Sequence, residues 1–145
     1  MKERGNQPVR EYVGAVFAAG LAYLSARGDI PREFTLVPAP TRPRSARARG
    51  GDPVAAVCHT AAQLQRVGVC AALSMGQSTA DQSELNAQDR WANLQGRVRV
   101  HAPIARAPAL LADDVVTTGA TLAASIAALQ AAGVEVCGAL VFADA

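Results

Sequence analysis

The sequence predicts an α/β domain in which a central, mostly parallel sheet is flanked by helices. Three observations carry this reading. Short apolar runs of strand length alternate with stretches of helical periodicity over most of the chain, the pattern of strands joined by crossover helices. Hydrophobic residues make up 50% of the 145 positions and charged residues 18%, which suits a buried core and argues against disorder. No internal repeat and no linker divides the chain, so residues 1–145 read as one domain. The aromatic share is only 4%, so the core is expected to be built from small and aliphatic side chains on closely packed helices.

Taken in order, Val9, Tyr12, Val13, Val16, Phe17, Leu21 and Leu24 fall at helical spacing and predict one buried face, with Gly28 and Pro31 ending the helix. Phe34–Val37 reads as a short strand closed by Pro38, Pro40 and Pro43, which cannot continue a central strand. Arg42, Arg44, Arg47 and Arg49 lead into Gly50 and Gly51 as a basic loop. Asp52-Pro53 is an N-cap with proline at the first helical position. The helix it opens runs through Val54, Val57, Cys58, Ala61 and Leu64 and is expected to end at Gly68. Val69–Met75 is an apolar run of strand length. Residues Gly76 to Gly96 turn polar, with a short helix near Glu84–Asn93. Val98 and Val100 alternate with Arg97, Arg99 and His101, as in an edge strand, and Pro103 and Pro108 bracket a loop. Ala109–Ala112 is a buried, interior strand. After Asp113–Thr121 comes a helix with Leu122, Ile126 and Leu129 on one face and Gly133 at its C-terminal cap, then a last strand over Val134–Phe142.

Composition excludes several function classes. Fourteen basic against twelve acidic residues give a net charge of +2, with a pI of 8.6, a weaker bias than a dedicated nucleic-acid binder usually shows, so that only local clustering could support that reading. Lys2 is the single lysine, so a general-base lysine is nearly excluded, whereas the many arginines suit phosphate. Cys58, Cys70 and Cys137 have no C-x-x-C spacing and, with His59 and His101, do not make a structural zinc site. They read as small buried or half-buried thiols. No segment reaches the about 18 apolar residues of a membrane span and no clean signal peptide is present, so a cytoplasmic protein is expected.

The chemistry concentrates in one string: strand, acidic pair, Thr/Gly loop, helix. In an open parallel sheet the ligand site lies beyond the carboxyl ends of the strands, where this loop would sit. Backbone N–H groups of Thr118–Thr121 at the start of a helix make an anion cradle with the positive end of the helix dipole. Gly119 lets the main chain approach closely and the threonine hydroxyls add donors. A phosphate monoester fits such a site, and the absence of G-K-[ST] separates it from a Walker A loop. Asp113 and Asp114 would repel that phosphate unless they hold something else. Ribose hydroxyls and Mg²⁺ are the chemistry that suits them.

The string Leu110-Leu111-Ala112-Asp113-Asp114-Val115-Val116-Thr117-Thr118-Gly119-Ala120-Thr121 resembles the phosphoribosyl-pyrophosphate (PRPP) motif of type I phosphoribosyltransferases. Within that superfamily the chain resembles the ComF family over residues 9–143. Leu36-Val37-Pro38-Ala39-Pro40, the arginine-rich stretch to Arg49-Gly50, and Gln82, Leu85, Arg90, Asn93 and Gly96 in that order point the same way. The resemblance implies a glycosyltransferase of the pentosyl class that binds PRPP with Mg²⁺. It implies that Asp113 and Asp114 are the catalytic acids, hold the ribose 2′- and 3′-hydroxyls and help place Mg²⁺. It puts the 5′-phosphate on Thr117, Thr118, Gly119, Ala120 and Thr121, and the pyrophosphate against Pro38 and Ala39 with Arg90 in a mobile hood. The first partner implied is a small phosphoribosyl ligand. The alternative is a non-catalytic PRPP- or nucleotide-sensing module that meets single-stranded DNA or the competence machinery of DNA uptake. A homodimer is an assembly left open.

The chain departs from the family pattern in places. ComF-like proteins commonly begin with a cysteine-rich zinc ribbon, and this sequence starts at the helix that follows it. Ala112 is smaller than the aliphatic residue usual before the acidic pair, Arg49-Gly50-Gly51-Asp52 replaces Arg-Gly-Phe-Asn, and Gly76-Gln77 stands where an arginine is often found. Trp91, a single aromatic beside Arg90, reads as a packing anchor, His59 as the outer face of a helix, and His101 as a loop residue.

Overall fold

The fold is drawn from a computed structural model that describes residues 7–41, 51–76, 97–104 and 106–145. The Arg42–Arg49 stretch, the short helix near Glu84–Asn93, Arg90 and Trp91 lie outside the described residues. The expected α/β architecture is present. Strands β1 (Thr35–Pro38), β2 (Gly68–Val69), β5 (Ala109–Val116) and β6 (Val136–Asp144) form an all-parallel sheet in the order β2-β1-β5-β6. Strands β3 (Leu73–Met75) and β4 (Val98–Val100) pair antiparallel as a separate two-stranded sheet. The helices are α1 (Gln7–Arg27), α2 (Pro53–Gln65) and α3 (Ala120–Ala131).

The sheet is covered on both sides, which is why its interior strands are continuous apolar runs rather than alternating ones. On one side Leu36, Leu110 and Ala112 pack with Phe17, Ala18 and Leu21 of α1 and Val54, Val57, Cys58 and Ala61 of α2. On the other, Val37, Ala109 and Leu111 pack with Ala124 and Leu129 of α3 and with Leu73 and Val98 of the small sheet. Ala109–Ala112 is fully buried between β1 and β6, so the interior-strand expectation holds.

Helix ends follow one rule. Just past the end of α1, α2 and α3 a residue takes positive φ and the N–H after it reaches back five residues: Asp29 to the Leu24 carbonyl, Val67 to Ala62, Val134 to Leu129. This Schellman closure uses Gly28 and Gly133 as the sequence suggests. It corrects the end of α2, where the left-handed residue is Arg66 at φ 55° and Gly68 belongs to β2. The N-terminus of α2 is as read: Asp52 Oδ1 accepts from the N–H groups of Val54 (2.9 Å) and Ala55 (3.3 Å).

Two further expectations change. Val69–Met75 is not one strand, because the Cys70 N–H bonds to the Leu36 carbonyl and the Ala72 N–H turns back to the Cys70 carbonyl. The run is thereby divided between the two sheets. Helix α1 does not bury the whole apolar set: Phe17 and Leu21 are buried and Val13 and Leu24 half-buried, whereas Val9, Tyr12 and Val16 face out.

Helix α1 lies close enough to α2 that only glycine fits at the crossing. A Cβ on Gly14 would stand 2.5 Å from the Thr60 Cβ. The Thr60 hydroxyl back-bonds to the Ala56 carbonyl, so the side chain is not a free end that can swing away. Gly14→Ala gains about 1 kcal/mol of helix propensity but forces the two helices apart, at about 1–3 kcal/mol. Calorimetric melting is expected to show a net loss of stability, against the gain that exposed glycine-to-alanine changes give.

Candidate functional site

The site is set by the order of the sheet. From β1 the chain crosses through α2, on one face, out to β2; from β5 it crosses through α3, on the opposite face, out to β6. Strands β1 and β5 are neighbours whose connections leave in opposite directions. Their carboxyl ends therefore border a crevice, the place where ligands bind open parallel sheets. The Ala39 N–H donates to the Ala112 carbonyl at 2.7 Å, carrying the β1–β5 pairing one residue past Pro38 and fixing the two loops against each other.

On the β5 side the acidic pair is not in the loop but inside the strand, which runs on to Val116. Asp113 lines a concavity of about 50 Å³ together with Val115–Leu122. That is room for a few water-sized groups or one small oxyanion. Asp114 is not among the lining residues, as expected for consecutive strand positions that face opposite ways. Each acid is engaged locally: Asp113 Oδ1 accepts from the Asp114 N–H and Asp114 Oδ1 from the Val115 N–H, both at 2.8 Å.

The floor of the concavity is the start of α3. Gly119 occupies the N-cap with φ 73°, a left-handed conformation that glycine adopts without strain. It has no side chain to cap with, and no side-chain bond closes the cap position. The Ala120 N–H donates a long bond to the Thr118 hydroxyl oxygen, 3.3 Å, and Thr117 and Thr118 are exposed. Open space stands where a Cβ of Gly119 would be. The fold thus demands glycine for its dihedral, and the volume beside it is left free. First-turn N–H groups, a positive helix end and threonine hydroxyls converge on that volume.

On the β1 side the sequence reading needs adjustment. Pro38, Ala39 and Pro40 are buried. The prolines have no N–H, and the Ala39 N–H is spent on Ala112. This turn therefore offers no free amide to a pyrophosphate, and the first residue beyond it with a donor is Thr41. The Thr41 hydroxyl donates to Asp52 Oδ1 at 2.9 Å. Asp52 was legible as a helix cap only. That it also ties Thr41, eleven residues back, depends on how β1 and α2 meet, which no local spacing reports.

Electrostatics single out Asp113. Burial pushes its carboxyl up to about 6; the Asp114 N–H pulls it down, while the charges of Asp114 and Asp52 push it up again. Cys58, buried beneath, is pushed up to about 12 by burial and by the charges of Asp52 and Asp113, so it is a neutral thiol packed as a small apolar group. His59 and His101 are exposed, and among the described residues no three His, Cys, Asp or Glu side chains group as a metal cage.

No protein-family model matches the chain, and a search of curated proteins finds no significant match. Among the described residues no helix is long and apolar enough to cross a membrane.

The raised carboxyl of Asp113 has a consequence for stability. Its folded-state value, about 6, lies above the usual 3.8, so its charge opposes folding above pH 6. The penalty fades as pH falls through 6 toward 4, where the unfolded chain also takes up the proton. Asp113→Asn keeps the acceptor for the Asp114 N–H and removes the charge. Its melting temperature at pH 8 is expected to exceed wild type by about 2–6 °C, a gap that shrinks to nothing near pH 4.

Proposed function

We propose that the chain binds a phosphoribosyl ligand, PRPP with Mg²⁺, in the crevice at the carboxyl ends of β1 and β5. We further infer that it transfers the phosphoribosyl group to a base or amine with release of pyrophosphate, as a ComF-like phosphoribosyltransferase. The observation that carries this is the join of Asp113 to an uncapped, threonine-rich helix start at the topological switch point. A phosphate on the α3 N-terminus would set the ribose back along β5 toward the acids. Carboxylates accept from vicinal hydroxyls and helix N-termini hold phosphate, so the two halves of the site suit the two ends of one ribose phosphate.

The donor set also fits Mg²⁺, which takes oxygen ligands and needs only one or two carboxylates when the phosphates of its ligand supply the rest. Asp113 stands where the like charges of Asp114 and Asp52 already raise it, and a cation would relieve that repulsion. When bound, the metal supplies charge neutralisation of the departing pyrophosphate. The chain's own part is positioning: Thr117–Thr121 would fix the 5′-phosphate, Asp113 with Asp114 the ribose, and Thr41, the first donor past Pro40, would stand toward the leaving group. With C1 so held, its bond to pyrophosphate breaks as the bond to the incoming nitrogen forms.

Titration calorimetry with PRPP, with and without Mg²⁺, tests the binding, and a pyrophosphate-release screen over bases and amines tests turnover. Asp113→Asn with Asp114→Asn is expected to lower PRPP affinity by roughly two to four decades, since each loses a hydrogen bond to a charged acceptor, ~1.5–3 kcal/mol. Asp113→Asn alone should carry the larger share. Inorganic phosphate should bind the double variant as well as wild type or better. Unchanged PRPP affinity would sink the phosphoribosyl reading. PRPP binding without release of pyrophosphate from any acceptor would leave a sensing module in place of an enzyme.

A further inference from the structure

One carboxylate oxygen joins two segments beside the crevice. Asp52 Oδ1 accepts from the Val54 and Ala55 N–H groups, which caps α2, and also from the Thr41 hydroxyl at 2.9 Å. The cap is complete without the third bond, because an N-cap oxygen serves the first-turn N–H groups alone. The third bond instead reaches eleven residues back, to the residue that follows the buried Pro38–Pro40 turn.

What that bond fixes is Thr41. A carboxylate only accepts, so the single hydroxyl proton of Thr41 is committed to Asp52. A hydrogen bond to a charged acceptor is among the stronger ones a hydroxyl makes. The turn just before it is pinned as well, since the Ala39 N–H is held by the Ala112 carbonyl. Thr41 is thereby tied to β5 through the main chain and to α2 through its side chain. The pair also lies near the acid of the site: the charge of Asp52 acts on Asp113. Among the described residues the Thr41 N–H meets no acceptor, so an amide donor stands beside a hydroxyl whose proton is spent.

We propose that Asp52 is a positioning residue for the pyrophosphate end of the ligand, acting through Thr41, whose amide it keeps set for the leaving group. This role rests on the phosphoribosyl reading of the crevice. With the 5′-phosphate on the start of α3 and the ribose at Asp113, the substituent on C1 extends away from α3, toward the end of β1. The prolines there have no N–H and the Ala39 N–H is spent, which leaves the Thr41 amide as the first donor on that side. A residue held in place before the ligand arrives spares the complex the entropy of ordering it.

Calorimetric titration of the full chain with ribose 5-phosphate, and with PRPP and Mg²⁺, reads the two ends of the site separately. Thr41→Val has the shape of threonine without the hydroxyl. It should weaken PRPP binding by about ten-fold and leave ribose 5-phosphate within about two-fold of wild type. Thr41→Ser keeps the hydroxyl and should restore PRPP affinity. Asp52→Asn keeps an oxygen for all three donors and removes a negative charge, so PRPP should bind it as well as wild type or better. Circular dichroism melting reports whether each variant is folded, and the ratio of the two affinities is a readout that a lost scaffold bond alone would not move. Loss of both ligands alike in Thr41→Val, or of neither, would overturn the proposal. A Thr41→Ser chain that stays weak for PRPP, or an Asp52→Asn chain as weak as Thr41→Val, would do the same. A wild-type chain that takes up neither ligand would overturn the phosphoribosyl reading itself, and this role with it.

Discussion

The parallel pairing of β1 with β5 is the constraint on which the rest of this molecule depends. Four residue pairs, Thr35 with Ala109 through Pro38 with Ala112, bring together two strands whose helices leave on opposite faces. The Ala39–Ala112 hydrogen bond adds one more rung at the end where those helices diverge. Were the register to slip by one residue, Leu110 and Leu111 would trade faces and both cores would lose their fit. The same register decides which acid reaches the concavity. Asp113 shares the parity of Ala109 and Leu111, which face α3, and α3 begins at that concavity.

Two aspartates near this crevice show how environment divides one side chain between two roles. Asp52 Oδ1 accepts bonds from Thr41 Oγ1, Val54 N and Ala55 N, so its charge is spent on holding the start of α2 and the end of β1 together. Asp113 accepts one bond from its neighbour, is half-buried, and has its carboxyl raised by burial. One acid is built into the scaffold. The other is left poorly satisfied, beside a helix whose cap position is a glycine with no side-chain bond. Local cost thus gathers at the mouth of the sheet, in a fold otherwise well packed.

Much of this could be read from the chain alone, and the misses share a cause. Ala109–Ala112 declared itself as an interior strand because a short run with no polar break must be covered on both faces. Asp52-Pro53 declared the start of α2 because capping is local chemistry. Periodicity in α1 marked the apolar positions but not which of them the fold covers, since Val16 and Phe17 are alike in sequence and differ only in what lies opposite. The division of Val69–Met75 turns on Cys70 and Ala72, which carry no turn signal of their own; their bonding to Leu36 and to each other is set by the neighbouring strand. Arg66 in a left-handed turn was likewise invisible. At the candidate site, the threonine loop was legible as the lead-in to a helix start, whereas the commitment of the Ala39 amide to Ala112 and the reach of Asp52 to Thr41 are products of tertiary placement.

The separation in sequence of the two central strands governs how the chain can assemble. Strand β1 has only two paired residues with β2 on one side, and its full partner, β5, is made some seventy residues later. During vectorial synthesis α1, β1 and α2 emerge without the strand against which Leu36 and Val37 must pack. Helix contacts between α1 and α2 can form at once, but the sheet cannot close until Ala112 has arrived. Folding is therefore committed late, by a long-range loop closure whose entropy must be overcome before any of the sheet's contacts reward it. Until then the apolar residues of β1 stay open to other chains, and the crevice cannot form before β5 has been made.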